Sequence, residues 1–158
     1  PVKGPPHLSE EPLMRRSDRG FTLVELMVTI MIVAVLIGIA MPTFLGARRN
    51  AAHRALQADM RTAFATASVV LADQGQYLEN AAVMEAIEPA LTWATGDTPI
   101  AEGVIYIHVH AAPQEVFLSG MSSTGTCFYL RDAAAGATTF AADPACGVAD
   151  GQTYNPSW

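Results

Sequence analysis

The sequence predicts an α+β protein in which one long amino-terminal helix packs against a small antiparallel sheet. Three observations carry that prediction. Twenty-two residues from Leu26 to Ala47 pass without a charge. An apolar spacing of three and four residues then continues to Val70. Between residues 104 and 131, short segments alternate with the period of two that marks a half-buried strand. The chain therefore divides into a polar extension (1–20), an apolar half-helix (21–47), an amphipathic half-helix (48–74) and an α+β head (75–158).

Composition agrees with this division. A chain of 158 residues suits one domain of ordinary size. Its 51% hydrophobic content and 15% charged content, against the usual ~25% charged, tilt it towards a membrane before any motif is considered. The formal charge of −6 is unevenly spread. Residues 1–20 hold four bases against three acids, and the remainder holds five arginines against twelve acids. An acidic head without a basic patch gives no support to direct nucleic-acid binding.

The extension is polar and proline-rich from Pro1 to Leu13, as in segments without stable structure. Met14 would serve as an alternative start, with residues 1–13 an over-extension. Arg15, Arg16 and Arg19 favour retention of this end in the cytoplasm. Arg48 and Arg49, just past the apolar run, weaken that charge asymmetry.

Leu26–Ala47 would form a helix of roughly 33 Å, enough to cross a hydrocarbon core of about 30 Å. A buried core helix and a cleaved secretory signal are the alternatives. The first seldom runs so long without a charge. The second has a shorter apolar region and no acid near its start.

Glu25 is the most informative residue of this segment. A carboxylate at the edge of an apolar run costs on the order of 2–3 kcal/mol to insert deeply and so usually has a partner. At a membrane interface it would simply be solvated. Packed among sister helices it would need a cation, and the next base along the chain is Arg48. The nearby cation that can be created is a new α-amine, released by cutting just before Phe21.

Gly20-Phe21-Thr22-Leu23-Val24-Glu25, preceded by basic residues and followed by the apolar run, resembles the processing site of type IV pilins and type II secretion pseudopilins. The resemblance covers about 25 residues. It implies cleavage after Gly20 by a prepilin peptidase, N-methylation of Phe21, and pairing of Glu25 with the amino terminus of a neighbouring subunit. It also implies removal of the 1–20 leader and a single-pass subunit in the cytoplasmic membrane, its amino terminus in the cytoplasm. Such a subunit lies first among membrane lipid. It then passes through a pilus assembly platform into a filament made of copies of itself and other pilins, outside the cell.

Beyond the span, Ala52, Leu56, Met60, Ala63, Ala67 and Val70 form one apolar stripe. Arg48, Arg49, Arg54, Arg61 and Asp73 fall largely off it, and Gly75 is a natural stop. Pro42 brings no amide hydrogen and should kink or loosen the helix, with Gly38 and Gly46 lowering helix propensity beside it.

In the head, Asn80 to Leu91 reads as a short helix with Ala82, Val83, Ala86 and Ile87 inward. Val104 to His110, Gln114 to Ser119 and Thr126 to Arg131 read as three strands joined through Pro113 and a Gly120–Gly125 turn region. Ile105, Ile107, Val109, Val116, Leu118, Phe128 and Leu130 are the expected core. Trp93, Tyr106, Phe117, Tyr154 and Trp158 are expected as core or subunit contacts.

Cys127 falls in the last of these strands and Cys146 in an Ala/Gly/Thr-rich tail. Outside the cell the two would pair, and in a cytosolic protein they would be unrelated thiols. The pilin resemblance implies the pair, because many pilins close a carboxy-terminal loop with a disulfide.

Chemistry is sparse. His108 and His110 alternate on a strand and could share a metal, but no third ligand is evident. Asp97, Glu102, Asp143 and Asp150 could supply calcium ligands, yet none of them has calcium-loop spacing. No metal or cofactor is expected. No nucleophile motif, phosphate loop or zinc Cys pair occurs, and His53 with scattered serines makes no triad, so the chain is not expected to be an enzyme. The leading expectation is a filament subunit for adhesion, motility or DNA uptake. A secretion pseudopilin comes second, and a membrane-anchored binding domain that never polymerises comes third.

Overall fold

The computed structural model describes residues 20–111, 114–134 and 136–158. The leader expectations for residues 1–19, Met14 among them, and the Pro113 connection lie outside the described residues. The chain divides into two compact units, one ending at Met41 and the other beginning at Pro42.

Helix α1 runs from Leu23 to Gln74 and remains helical through Pro42. In the first unit every helical residue is exposed, including Val28, Ile32 and Ile37. Its most apolar 18-residue window has a mean hydropathy of 2.7, and by length and composition the helix can cross a membrane. At the other end Gly75 takes φ +72° and donates its amide to the Leu71 carbonyl at 2.8 Å. Positive φ is cheap for glycine alone, which is why the helix stops there.

In the second unit the predicted stripe is the buried face of α1: Leu56, Met60, Ala63, Ala67 and Val70, joined by Thr66. Helix α2 covers Ala81–Ile87 and is capped by Asn80, whose side chain accepts from the amides of Ala82 and Val83. Its inward residue is Met84, fully buried, with Ala81 and Val83 partly buried beside it. Ala82, Ala86 and Ile87, expected inward, are exposed. A helix of two turns presents one narrow face to the core, and Met84 with its neighbours Ala81 and Val83 occupies it.

Five strands form one sheet in the order β1-β2-β3-β4-β5: Thr92–Thr95, Val104–Ala111, Gln114–Met121, Cys127–Ala133 and Thr139–Asp143. The sheet is mixed, not antiparallel throughout, because β1 pairs with β2 in parallel while the other pairs are antiparallel. The three predicted strands are its centre, and β1 and β5 extend it on either side. Cys127 accordingly opens the fourth strand, with a fifth beyond it.

Strand alternation divides the side chains cleanly between two faces. Ile105, Ile107, Val116, Leu118, Phe128 and Leu130 share one core with the α1 stripe, Met84 and Trp93. Phe117, Tyr129, Cys127 and Ala141 belong to a second, smaller core with Ala149 and Tyr154 of the carboxy-terminal tail. The tail is therefore an ordered layer over the outer face of the sheet. It includes a 3₁₀ turn, η1 (Ala149–Gly151), and Phe140 and Asn155 exchange two backbone hydrogen bonds of 2.7 Å.

Candidate functional site

The amino-terminal segment is built around the start of α1. Gly20, Phe21 and Thr22 precede the first helical residue, and all three are exposed. Thr22 Oγ1 accepts the Glu25 amide at 3.2 Å, and the Thr22 carbonyl accepts the Leu26 amide, opening the helical ladder. Thr22 is thus the N-cap and Glu25 the third helical residue, the T-x-x-E arrangement of a capping box. A carboxylate there is favoured by the partial positive charge of a helix amino terminus. The Thr22–Glu25 spacing was a readable signal of the helix start.

From Phe21 through Leu45 the large apolar side chains are exposed without exception, Phe21 at 77% and Ile39 at 69% among them. Glu25 is the lone acid on this segment of the described residues, four positions after Phe21 in the chain.

The second site is the disulfide-closed tail. Cys127 and Cys146 are bonded, 19 residues apart, and no cysteine of the chain is left free. Cys127 is fully buried, whereas Cys146 sits in a turn at φ +52°. That turn is organised by Asp143. Its Oδ1 accepts the Ala145 amide at 2.8 Å, and its Oδ2 accepts the Gly147 amide at 3.0 Å and Gln152 Nε2 at 3.2 Å. The backbone amides, Gly147 first, hold the Asp143 carboxyl below the usual carboxylate range. Tyr129 donates to the Gly147 carbonyl at 2.7 Å, and burial, with Asp143 nearby, pushes its hydroxyl up to about 12.

The acids that could have supplied calcium ligands, Asp97, Glu102, Asp143 and Asp150, do not come together among the described residues. Asp143 is occupied as described, Asp97 bonds Thr98 and takes the Ala149 amide on its carbonyl, and Asp150 meets His110. His108, His110 and Asp150 are the group of ligand-bearing side chains that does converge among the described residues. His53 bonds Thr124 at 2.9 Å and stands edge-on to Phe128, a structural role in the head. Trp93, Tyr106 and Phe117 are buried, as expected of core aromatics.

Residues 15–41 match the family model described as the prokaryotic N-terminal methylation motif, the prepilin-type cleavage and methylation motif of type IV pilins and pseudopilins. No curated protein and no solved structure matches the chain.

Proposed function

We propose that the chain is the precursor of a structural subunit of a type IV pilus-like filament. A prepilin peptidase cuts after Gly20, Phe21 becomes the N-methylated first residue, and the helix that anchors the precursor in the membrane later joins subunits. The observation that carries the proposal is a conjunction on one segment. The methylation motif spans 15–41, and the half-helix it opens, Leu23 to Ala47, is apolar and exposed on every side, with a single acid at its start.

The physical logic is an exchange of surroundings. A helix exposed on all sides in the monomer is stable in lipid, and sister helices offer an equally apolar environment. Transfer between the two leaves the hydrophobic term nearly unchanged. Glu25 then acts as the register element, because its carboxylate meets the α-amine of a neighbouring Phe21 once the leader is gone. A charge pair in apolar surroundings fixes alignment even where it adds little net stability. Pro42 serves as a point where this helix can loosen on assembly.

The Cys127–Cys146 bond supports a head that works outside the cytoplasm, as a pilus subunit or, in the second reading, a secretion pseudopilin would. Adhesion, motility and DNA uptake are the activities such a filament would serve, with the acidic head, in contact with other pilins, as its outer surface.

Mass spectrometry of the mature amino terminus tests the proposal. The expected product begins with N-methyl-Phe21 and is recovered in filaments sheared from cells. A chain that keeps Arg15, Arg16 and Arg19 and remains in membranes would leave only a tethered head domain.

A further inference from the structure

Two histidines at alternate positions of β2 place their rings on the outer face of the sheet, 5.1 Å apart centre to centre. The tail that crosses this face brings Asp150 from η1 to the same place, with its Oδ2 2.9 Å from His110 Nε2. We propose that His108, His110 and Asp150 bind a divalent transition ion of the zinc type, with Glu79 orienting His108.

The ligand chemistry selects the ion. Calcium and magnesium take oxygen donors, and two imidazoles with one carboxylate suit zinc and its neighbours. Two ligands of one such ion, each about 2.1 Å from it, stand roughly 3.0–3.4 Å apart, close to the separation His110 and Asp150 already have. The ligand atoms of all three residues lie within 4.8 Å of one another, and none of the three side chains is locked by burial. Small rotations close the set.

Glu79 supplies the outer support that histidine ligands commonly have. Strand β1 ends at Thr95, opposite Ile107, so the edge of β2 beyond that point lacks a strand partner on this side. Glu79 Oε2 accepts the Val109 amide there at 3.1 Å and stands 3.0 Å from His108 Nδ1. The backbone bond fixes the carboxylate. The carboxylate in turn fixes the ring, keeping the proton on Nδ1 and leaving the Nε2 lone pair for the ion. Arg131, the nearby cation, is held in a two-point pair with Glu115 at 2.6 and 3.1 Å, so its charge is matched locally. An open hollow of about 470 Å³ beside His110 and Asp150 gives room for water as the fourth ligand. A bound ion would tie η1 to β2, a fastening of the tail separate from the disulfide.

The test uses the full-length chain in detergent, cleared with a chelator and titrated calorimetrically with Zn²⁺ alone. One ion per chain is expected, with a rise in unfolding temperature at excess Zn²⁺. His108→Ala, His110→Gln and Asp150→Asn should each weaken binding at least about tenfold, and Glu79→Gln by about 10–100-fold. His53→Ala should change nothing, because that ring serves the Thr124 contact. Circular dichroism confirms that each variant is folded, and since none of these side chains is buried in a core, folding should hold. Absence of saturable binding would overturn the proposal. So would undiminished binding in a His108→Ala, His110→Ala double variant, or displacement of Zn²⁺ by equal Ca²⁺.

Discussion

The Tyr77 hydroxyl donates to Asp132 Oδ2 at 2.5 Å, joining the segment just after the long helix to the fourth strand. Both residues are buried, and Asp132 also accepts from Thr138 Oγ1 at 2.6 Å. Burial first, and then this bond, raises the Tyr77 hydroxyl above its ordinary range. Tyr77→Phe removes the donor and keeps the ring, leaving Asp132 with one hydroxyl partner fewer. A hydrogen bond to a charged group is worth about 1.5–3 kcal/mol, so denaturant unfolding should report a loss of that size. No change in the midpoint would mean that water replaces the hydroxyl at no cost.

Gly120 lies where β3 packs directly against Leu56 of α1. A Cβ placed there would stand 2.9 Å from Leu56 Cδ1 and 3.3 Å from Ile105 Cδ1. Both neighbours are side-chain ends of the principal core, and Leu56 must shift to admit a methyl group. Gly120→Ala should therefore destabilise by about 1 kcal/mol, the low end of the overpacking range because Leu56 can turn, as read from the unfolding midpoint. Leu56→Val in the same chain should recover part of the loss.

The disulfide closes a loop with a sequence separation of 19. In the chain-entropy treatment a loop of that size contributes about 3 kcal/mol by restricting the unfolded chain. A Cys127→Ala, Cys146→Ala double variant should lose stability of that order, and reductant should lower the midpoint of the native chain but not of the variant. The tail of the variant should exchange amide hydrogens faster, with protection of the Gly147 amide falling first, because the bond to Asp143 loses its covalent neighbour.

Acid stability should depend on Asp143. Its folded carboxyl titrates below its unfolded one, because the Gly147 and Ala145 amides bond the charged form. A depressed acid favours the folded state fully above its unfolded range near pH 4, and that contribution is lost as pH falls through the folded value. Asp143→Asn should flatten the acid limb of the curve of unfolding temperature against pH, leaving the neutral region lower and the curve less steep below pH 4. Parallel acid limbs in the two proteins would assign the acid dependence to other carboxyls.

The parts of this fold that could be read in the sequence are those with a long period. The α1 stripe appears because five of its six predicted residues repeat over about four turns and share one core with the sheet. The three central strands appear because their alternation has a core on one side. The edge strands stay hidden. Thr92–Thr95 is too short for a period and pairs in parallel, and Thr139–Asp143 has one large apolar residue, Phe140. The outer-face cluster was only half visible. His108 and His110 are neighbours in sequence, but Asp150 joins them by tail folding, which no local pattern encodes. Glu79 belongs to the same lesson, since it matters only because β1 ends early. At the amino terminus the reverse holds, for everything of interest lies within six residues, and the Thr22 cap was as legible as Glu25.

That cap sets a competing role for Glu25 and shows how to separate the two. If the acid serves only its own helix, removing either member of the box should have similar consequences, since an N-cap is worth about 1 kcal/mol to its helix. If it meets the α-amine of another subunit, the two changes should diverge. Thr22→Ala should leave cleavage, membrane insertion and filament yield within about twofold of the native chain, because a membrane helix of this length tolerates a frayed first turn. Glu25→Ala should insert equally well yet cut the yield of sheared filaments at least tenfold, the equivalent of roughly 1.4 kcal/mol per assembly step. Glu25→Gln keeps the shape and some capping capacity but removes the charge, so it should behave like Glu25→Ala. Quantifying filaments and membrane-held subunits side by side distinguishes the cases, and filament yields that fall together for Thr22→Ala and Glu25→Ala would reduce Glu25 to a helix cap.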